Sequence, residues 1–223
     1  MADDTSTPAP LVLASASPRR RELLDRLGLH FDVVPSPFEE VLDDRPPVQQ
    51  SEELARGKIE HLLAEHPDLR SRYVLGADTV IDVDGRVLGK PDDRAEAAEF
   101  LSILSGRRHR VITSLALHAP NPAAAAHTRQ TGGGAETTHV RTETTDITVA
   151  PLSAREKEWY LATGEWEGAA GGYRIQGLGA VFIERIEGCY FNEMGLPLRL
   201  FYVMVGEYGY DLLGYVSDQS SAV

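Results

Sequence analysis

The chain has a single cysteine, Cys189, in 223 residues. That excludes an internal disulfide and any zinc site built on paired cysteines. No histidine sits beside Cys189 in a local catalytic signature, so it reads as structural. Cationic side chains are also scarce, with 22 Lys and Arg against 34 Asp and Glu, for a formal net charge of -12. Such a surface repels a nucleic-acid backbone and excludes a stable DNA or RNA partner. Long hydrophobic runs are missing as well. The longest, such as AVFI and LFYVMV, fall far short of the roughly 20 residues that a membrane span requires. The opening MADDTSTPAP carries acids and prolines where a signal peptide would carry basic and then apolar residues, so a cytoplasmic protein is expected. No repeat occurs at a fixed period. What remains is an ordinary globular composition, 42% hydrophobic and 25% charged, which excludes wholesale disorder. A phosphate-bearing ligand of so acidic a chain has to be small, held by a local basic cluster and accompanied by a metal.

Strand and helix patterns alternate along the chain. LVLAS at 11–15 reads as a buried strand, followed by Ser17 as helix N-cap with Pro18 in the first turn and a stop at Gly28. FDVV at 31–34 reads as a strand, and a proline-rich loop leads to a second helix capped by Ser51 and ending near His66. YVLGADTVIDV at 73–83 is an internal strand that turns at Asp84-Gly85. A third helix, capped at Asp92 or Asp93, closes at Gly106, and strands RVITSLAL and TTDITVAP follow. Between those two strands, residues 120–139 have the composition of a flexible insertion. Ser153 and Glu156 form a capping box for the next helix. AVFIERI and CYF read as a strand pair turning at Glu187-Gly188, and Pro197 opens a last helix. Residues 1–10 and 207–223 read as loosely ordered tails around one domain at 11–206. The fold class is α/β, a mixed twisted sheet with flanking helices.

Four places invite chemistry. Ser15 to Arg21 joins a strand to a helix N-terminus, where free N–H groups favour anions and disfavour arginines. Arginines placed there fit either a bound polyphosphate or an ordinary capped helix with solvated side chains. Asp78 lies inside an apolar strand, where a carboxylate needs a metal or a cation; a two-residue turn would pair Thr79 with Lys90 and bring that ammonium near Asp78. The alternative is a purely structural Asp–Lys pair. Lys58 shares a helix row with Leu54 and Leu62, so it either snorkels past the core or lines a cleft. Glu39 and Glu40 close the loop before that helix, where adjacent acids are usually solvated. Gln176, flanked by glycine in GYRIQGLG, is a surface turn or a group able to meet the edge of a nucleobase.

The segments LASASPRRRELLDRLG, FEE, LARGK, GADTV with GKP, LSGRRHRVIT, YRIQGLGA and GLPL occur in the order and at nearly the spacing of the Maf-like nucleoside triphosphate pyrophosphatases. The resemblance runs over about residues 11–205. It implies a two-lobed α/β protein with the active site in a central cleft, resembling the inosine triphosphate pyrophosphatases, and usually a homodimer. The implied reaction is metal-dependent hydrolysis between the α and β phosphates, with Mg²⁺ or Mn²⁺ as the divalent cation. The IQG tripeptide, with ADT and SPR, resembles the branch acting on dTTP and UTP. By the same resemblance Asp78 is the proton acceptor, Glu40 and Asp78 hold the metal, and Lys58 and Lys90 handle phosphate. Ser15, Arg19 and Arg20 match the phosphate loop, while Arg19, Thr79 and Gln176 match positions associated with base choice.

The chain departs from the family at three places. Many members read KAGAYGIQG where this chain reads AAGGYRIQG, so Ala169 stands for a lysine and Arg174 for a glycine. Glu193 stands where an apolar residue is usual. These changes keep modified pyrimidine nucleotides open as substrates. The competing expectations are the same reaction on 7-methyl-GTP or an inosine nucleotide, and a non-catalytic regulator of septum formation.

Overall fold

The computed structural model describes residues 10–38, 41, 45–120 and 138–220, the last four by backbone only. Seven strands form one sheet: β1 (Leu11–Leu13), β2 (Phe31–Val33), β3 (Val74–Val83), β4 (Arg86–Leu88), β5 (Arg108–His118), β6 (Thr138–Val149) and β7 (Ile183–Glu187). Their order is β2-β1-β3-β5-β6-β7, with β4 paired to β3 outside that path. β1 runs parallel to β2 and to β3, and the other pairings are antiparallel, so the sheet is mixed as the sequence pattern predicts.

Alternation along the strands builds two cores. Val12, Ala14, Val74 and Ala116 point to one face and pack against Ala55, Ile59 and Leu62 of α2 (Pro47–Glu65). Their neighbours Leu11, Leu13, Leu75, Ala77, Ile81 and Leu115 point to the other face. That side is covered by α1 (Pro18–Arg26), α3 (Arg94–Leu104), α4 (Ala154–Thr163) and, after the short α5 (Tyr190–Glu193), by α6 (Leu198–Glu207) and α7 (Leu212–Ser220). Burying each large apolar side chain in these layers contributes about 1.5–3 kcal/mol. α2 lies unusually close to β3 because Gly76 has no side chain: a Cβ there would sit 2.9 Å from both the Ala55 carbonyl oxygen and Ile59.

Local signals held at several points. The Asp84-Gly85 turn takes positive φ at both residues, 51° and 89°, the pair of angles a two-residue hairpin needs. Asp93, of the two aspartates considered, caps α3 through the Glu96 N–H, and Ser153 with Glu156 forms the capping box of α4.

Four expectations need correction. Ser51 does not cap α2, which begins a turn earlier with Pro47 in its first turn and Pro46 before it. Two prolines supply the fixed φ of a helix start, and the more familiar serine signal lies inside. CYF does not pair with AVFIERI; β7 pairs with β6, and residues 190–193 turn into α5. The insertion ends before Thr138, since Thr138 and His139 belong to β6 and the His139 ring stacks 3.8 Å from that of Tyr208. Residues 121–137 lie outside the described residues. The segment after residue 206 is no loose tail as far as Ser220, because Tyr210, Leu212 and Tyr215 are buried in the main core and the Tyr215 hydroxyl donates to the His30 carbonyl at 3.2 Å. Residues 1–9 and 221–223 lie outside the described residues.

A chain ending at Gly209 is therefore expected to lose at least about 3 kcal/mol of unfolding free energy in a urea titration; unchanged stability would contradict the packing of α7. A second expectation concerns His109, which is 2% exposed and shares a 2.8 Å hydrogen bond with the Tyr173 hydroxyl. Burial pushes its imidazole from 6.5 down to about 4. The unfolded chain then takes up this proton first, so stability present above pH 6.5 is lost as pH falls toward 4. The loss amounts to about 3 kcal/mol at roughly 1.4 kcal/mol per unit. Chemical denaturation of the parent and His109→Gln at pH 7 and pH 4 should show the parent losing that much more.

Candidate active site

β3 pairs with β5 from Val74 to Asp82. On its other edge β1 reaches only Val74 and Leu75, and β4 covers Ile81 to Val83. Among the described residues no strand lies along Gly76–Val80 on that side. A cavity of about 510 Å³ opens at this gap, lined by Ser15, Ser17, Arg19 and Arg20 from the β1–α1 junction, Lys58 of α2, Asp78 and Thr79 of β3, and Lys90 beyond β4. Asp78 and Thr79 are adjacent in the strand and so project to opposite faces, yet both border the cavity because it sits at the sheet's open edge.

Asp78 faces α2. Its Oδ1 accepts a 2.7 Å hydrogen bond from Lys58 Nζ, which also donates to the Ala77 carbonyl at 3.1 Å. Both side chains are nearly closed to solvent, at 8% and 5% exposure for Lys58 and Asp78. The register of α2 on β3 is held by Ser51, which is fully buried; its hydroxyl donates to the Asp78 carbonyl at 3.3 Å and accepts from the Ser114 N–H at 3.2 Å. Asp78 Oδ2 is buried and has no hydrogen-bond partner. An ionised carboxylate oxygen left in that state is costly, and its position on the cavity wall makes it an acceptor for a cation or for a proton on bound water.

Arg20 organises the opposite face. Its Nε donates to the Gly195 carbonyl at 2.8 Å, Nη1 to Ser15 Oγ at 3.0 Å and Nη2 to Thr79 Oγ1 at 3.2 Å. The planar guanidinium thereby ties the β1–α1 junction to β3 and to the loop after α5. Thr79 Oγ1 is also 2.9 Å from Thr113 Oγ1, which in turn donates to the Asn192 carbonyl at 3.0 Å. Asn192, fully buried, donates to the Val111 carbonyl and to Thr145 Oγ1, each at 2.9 Å. Ser17 occupies the N-cap position of α1, but its side chain caps nothing; its N–H donates to Ser15 Oγ at 3.3 Å instead.

A recess of about 20 Å³, room for one water, adjoins the cavity and shares Ser17, Arg19, Arg20, Thr79, Ala170 and Arg174 with it. Its further walls are Ile81, Tyr173, Gln176, Glu193, Met194 and Gly195. Gln176 stands exposed at its rim. Burial, then repulsion from Arg174, lowers the affinity of Arg19 for its proton. Burial likewise raises the Glu193 carboxyl to about 8, against the pull of Arg19 and of the Ile175 N–H. Arg174 is anchored through a 2.6 Å bond from Nη2 to the Glu167 carbonyl, and its buried Nε has no hydrogen-bond partner.

The structure thus brings Ser15, Arg19, Arg20, Lys58, Asp78, Thr79 and Lys90 to one cavity, with Gln176 on the adjoining recess. Glu40 lies outside the described residues. The direct partner of Asp78 is Lys58 on the neighbouring helix, not the hairpin's Lys90, because the β3–β4 ladder ends at Ile81 and Leu88. Of the three departures, Ala169 is buried at 1% exposure between cavity residues Gly168 and Ala170, whereas Arg174 and Glu193 face the recess. Sequence reasoning took Ser51 for a helix cap and missed Thr113 and Asn192. Thr113 is a polar residue in an apolar strand, the kind of signal that singled out Asp78, whereas Ser51 and Asn192 have polar neighbours in sequence and carried no such signal.

The buried pair generates a double-mutant expectation. Lys58→Met removes the cation beside Asp78 and Asp78→Asn removes the charge that Lys58 faces in this pair, so each should cost about 3 kcal/mol or more in equilibrium unfolding. The double variant should cost clearly less than the sum. Additive losses would show that the two charges do not interact.

The Maf-like protein family matches residues 10–208. A Moorella thermoacetica protein named dTTP/UTP pyrophosphatase is 45% identical, over 92% of this chain and 98% of its own length. A Symbiobacterium thermophilum protein of the same name is 41% identical, over 91% of this chain and 95% of its own. The solved structure of the Staphylococcus aureus Ham1 protein overlaps 64% of this chain and 72% of its own at 18% identity and a TM-score of 0.38, a likeness too loose to bear on the site. A family match over nearly the whole chain, together with relatives this similar end to end, establishes that the chain belongs to the Maf-like protein family.

Proposed function

We propose that this chain is a nucleoside triphosphate pyrophosphatase for dTTP and UTP, adding water across the α–β anhydride to give the monophosphate and pyrophosphate. The observation that carries the reading is Asp78: one carboxylate oxygen is held by Lys58 and the other is left unpartnered at the wall of a cavity that also carries Ser15, Arg19, Arg20 and Lys90. The names of the relatives supply the two bases. Guanidinium forks and ammonium groups hold the triphosphate and neutralise its oxygens. Lys58 fixes the carboxylate, which receives the proton of the attacking water.

A divalent cation, Mg²⁺ or Mn²⁺, fits this wall, since an orphaned carboxylate oxygen is a hard oxygen ligand. Among the described residues no cluster of three acidic, histidine or cysteine side chains surrounds it. Asp78, Glu40 and the substrate's own phosphates would hold such an ion, which supplies charge neutralisation when bound. Base choice falls to Arg19, Thr79 and Gln176, whose amide can meet the N3–H and O4 of uracil or thymine with its two ends. Among the described residues no helix is long and apolar enough to cross a membrane. On this reading the protein works in the cytoplasm as a homodimer, without nucleic acid.

Pyrophosphate release from a nucleotide panel, with Mg²⁺ and after metal stripping with EDTA, tests the reading. It predicts turnover of dTTP and UTP that is lost on stripping and restored by Mg²⁺. Asp78→Asn should lower kcat by about 10²-fold or more while dTTP binding is largely kept. Release of orthophosphate, or turnover of dTTP by Asp78→Asn within a few-fold of the parent, contradicts it.

A further inference from the structure

Glu193 is the one family departure that places an acidic group among the residues associated with base choice. It lines the recess beside Arg19, Thr79 and Gln176, and its Oε2 lies entirely below the surface with no hydrogen-bond partner. The backbone there is fixed: Asn192, the preceding residue, is tied to β5 and β6 through Val111 and Thr145, and the Gly195 carbonyl two residues on is tied to Arg20. A carboxyl oxygen below the surface and without a hydrogen-bond partner, on a residue that lines the recess, is poised for a ligand group. An apolar side chain at this position would offer a base nothing to read.

We propose that Glu193 is a further specificity-determining residue of this chain, donating its acid proton to a ring carbonyl of the pyrimidine beside the amide of Gln176. The assignment rests on the dTTP and UTP reading and deepens it. A neutral carboxyl both donates and accepts, so it satisfies the carbonyl of thymine or uracil; an ionised one only accepts, and suits the exocyclic amine of cytosine. The groups facing it are Arg19 of α1, Tyr160 of α4, and Tyr173, Arg174 and the Ile175 N–H of the glycine-rich loop. Burial outweighs the two that favour ionisation, Arg19 and the Ile175 N–H, and keeps the proton on up to about pH 8. Preference for thymine over cytosine is therefore built to fall as the solution becomes alkaline.

The test is the ratio of kcat/KM for dTTP over dCTP between pH 6.5 and 9, in the parent, Glu193→Gln and Glu193→Val. The parent ratio should drop severalfold as pH rises through 8, and Glu193→Gln, which keeps a donor at every pH, should hold a flat ratio. Glu193→Val should raise KM for dTTP by about tenfold at pH 7, with little change in kcat and none in inhibition by inorganic tripolyphosphate, which has no base. The same comparison, read as calorimetric Kd for dTMP and dCMP, needs no turnover. A chain that binds these monophosphates but releases no pyrophosphate refutes the hydrolysis and still decides Glu193. The proposal is overturned if the parent ratio is flat with pH, or if Glu193→Val leaves the ratio and the dTMP affinity unchanged while only lowering Tm. Equal weakening of dTTP and tripolyphosphate also overturns it.

Discussion

β5 holds one edge of β3 throughout, while the other edge is divided between β1 and β4, neither of which reaches Gly76–Val80. That interruption in pairing is the constraint on which the site depends. It opens a cavity beside a strand whose backbone is still fixed from the far side, so Asp78 and Thr79 border solvent space without belonging to a mobile loop. It also lets opposite faces of the sheet contribute to one site, with Lys58 and Ser51 of α2 acting on Asp78 from one side and Arg20 of α1 holding Thr79 from the other. Closing the gap with a longer β1 would bury the same carboxylate against another strand.

Electrostatics divide the cavity. The cationic groups Arg19, Arg20, Lys58 and Lys90 gather on its walls in a chain whose overall charge is strongly negative, so attraction for a polyphosphate is local. One of the four, Lys58, is committed to Asp78, and Arg20 is committed to Ser15, Thr79 and Gly195. The buried pair is costly to assemble in low dielectric, and removing either partner leaves the other's polar atoms buried without it. The recess works by the opposite rule: burial there favours a neutral carboxyl at Glu193, suited to hydrogen bonding with an uncharged base.

The strand–helix alternation, the Asp84-Gly85 hairpin and the capping box at Ser153 were legible because each depends on residues close in sequence. Asp78 and Lys58 were legible as polar residues out of place on apolar rows. Their mutual contact was not, because it depends on how α2 lies on β3, which the absence of a side chain at Gly76 permits. The helical CYF segment and the packed α7 were misread for a related reason. β6 takes β7 as its neighbour, and the core finds room for Tyr210, Leu212 and Tyr215, neither of which local propensity reports. Composition and short motifs marked the cavity's residues one by one, and only the sheet's pairing shows why they meet.

The most direct test of this account is a crystal structure of the protein with Mg²⁺ and a dTTP analogue whose α–β bridge resists hydrolysis. The account predicts the triphosphate against Ser15, Arg19, Arg20 and Lys90, the metal within reach of the Asp78 carboxylate, and the thymine edge at Gln176 and Glu193. A base bound away from that recess, or a phosphate chain out of reach of Asp78, would contradict it.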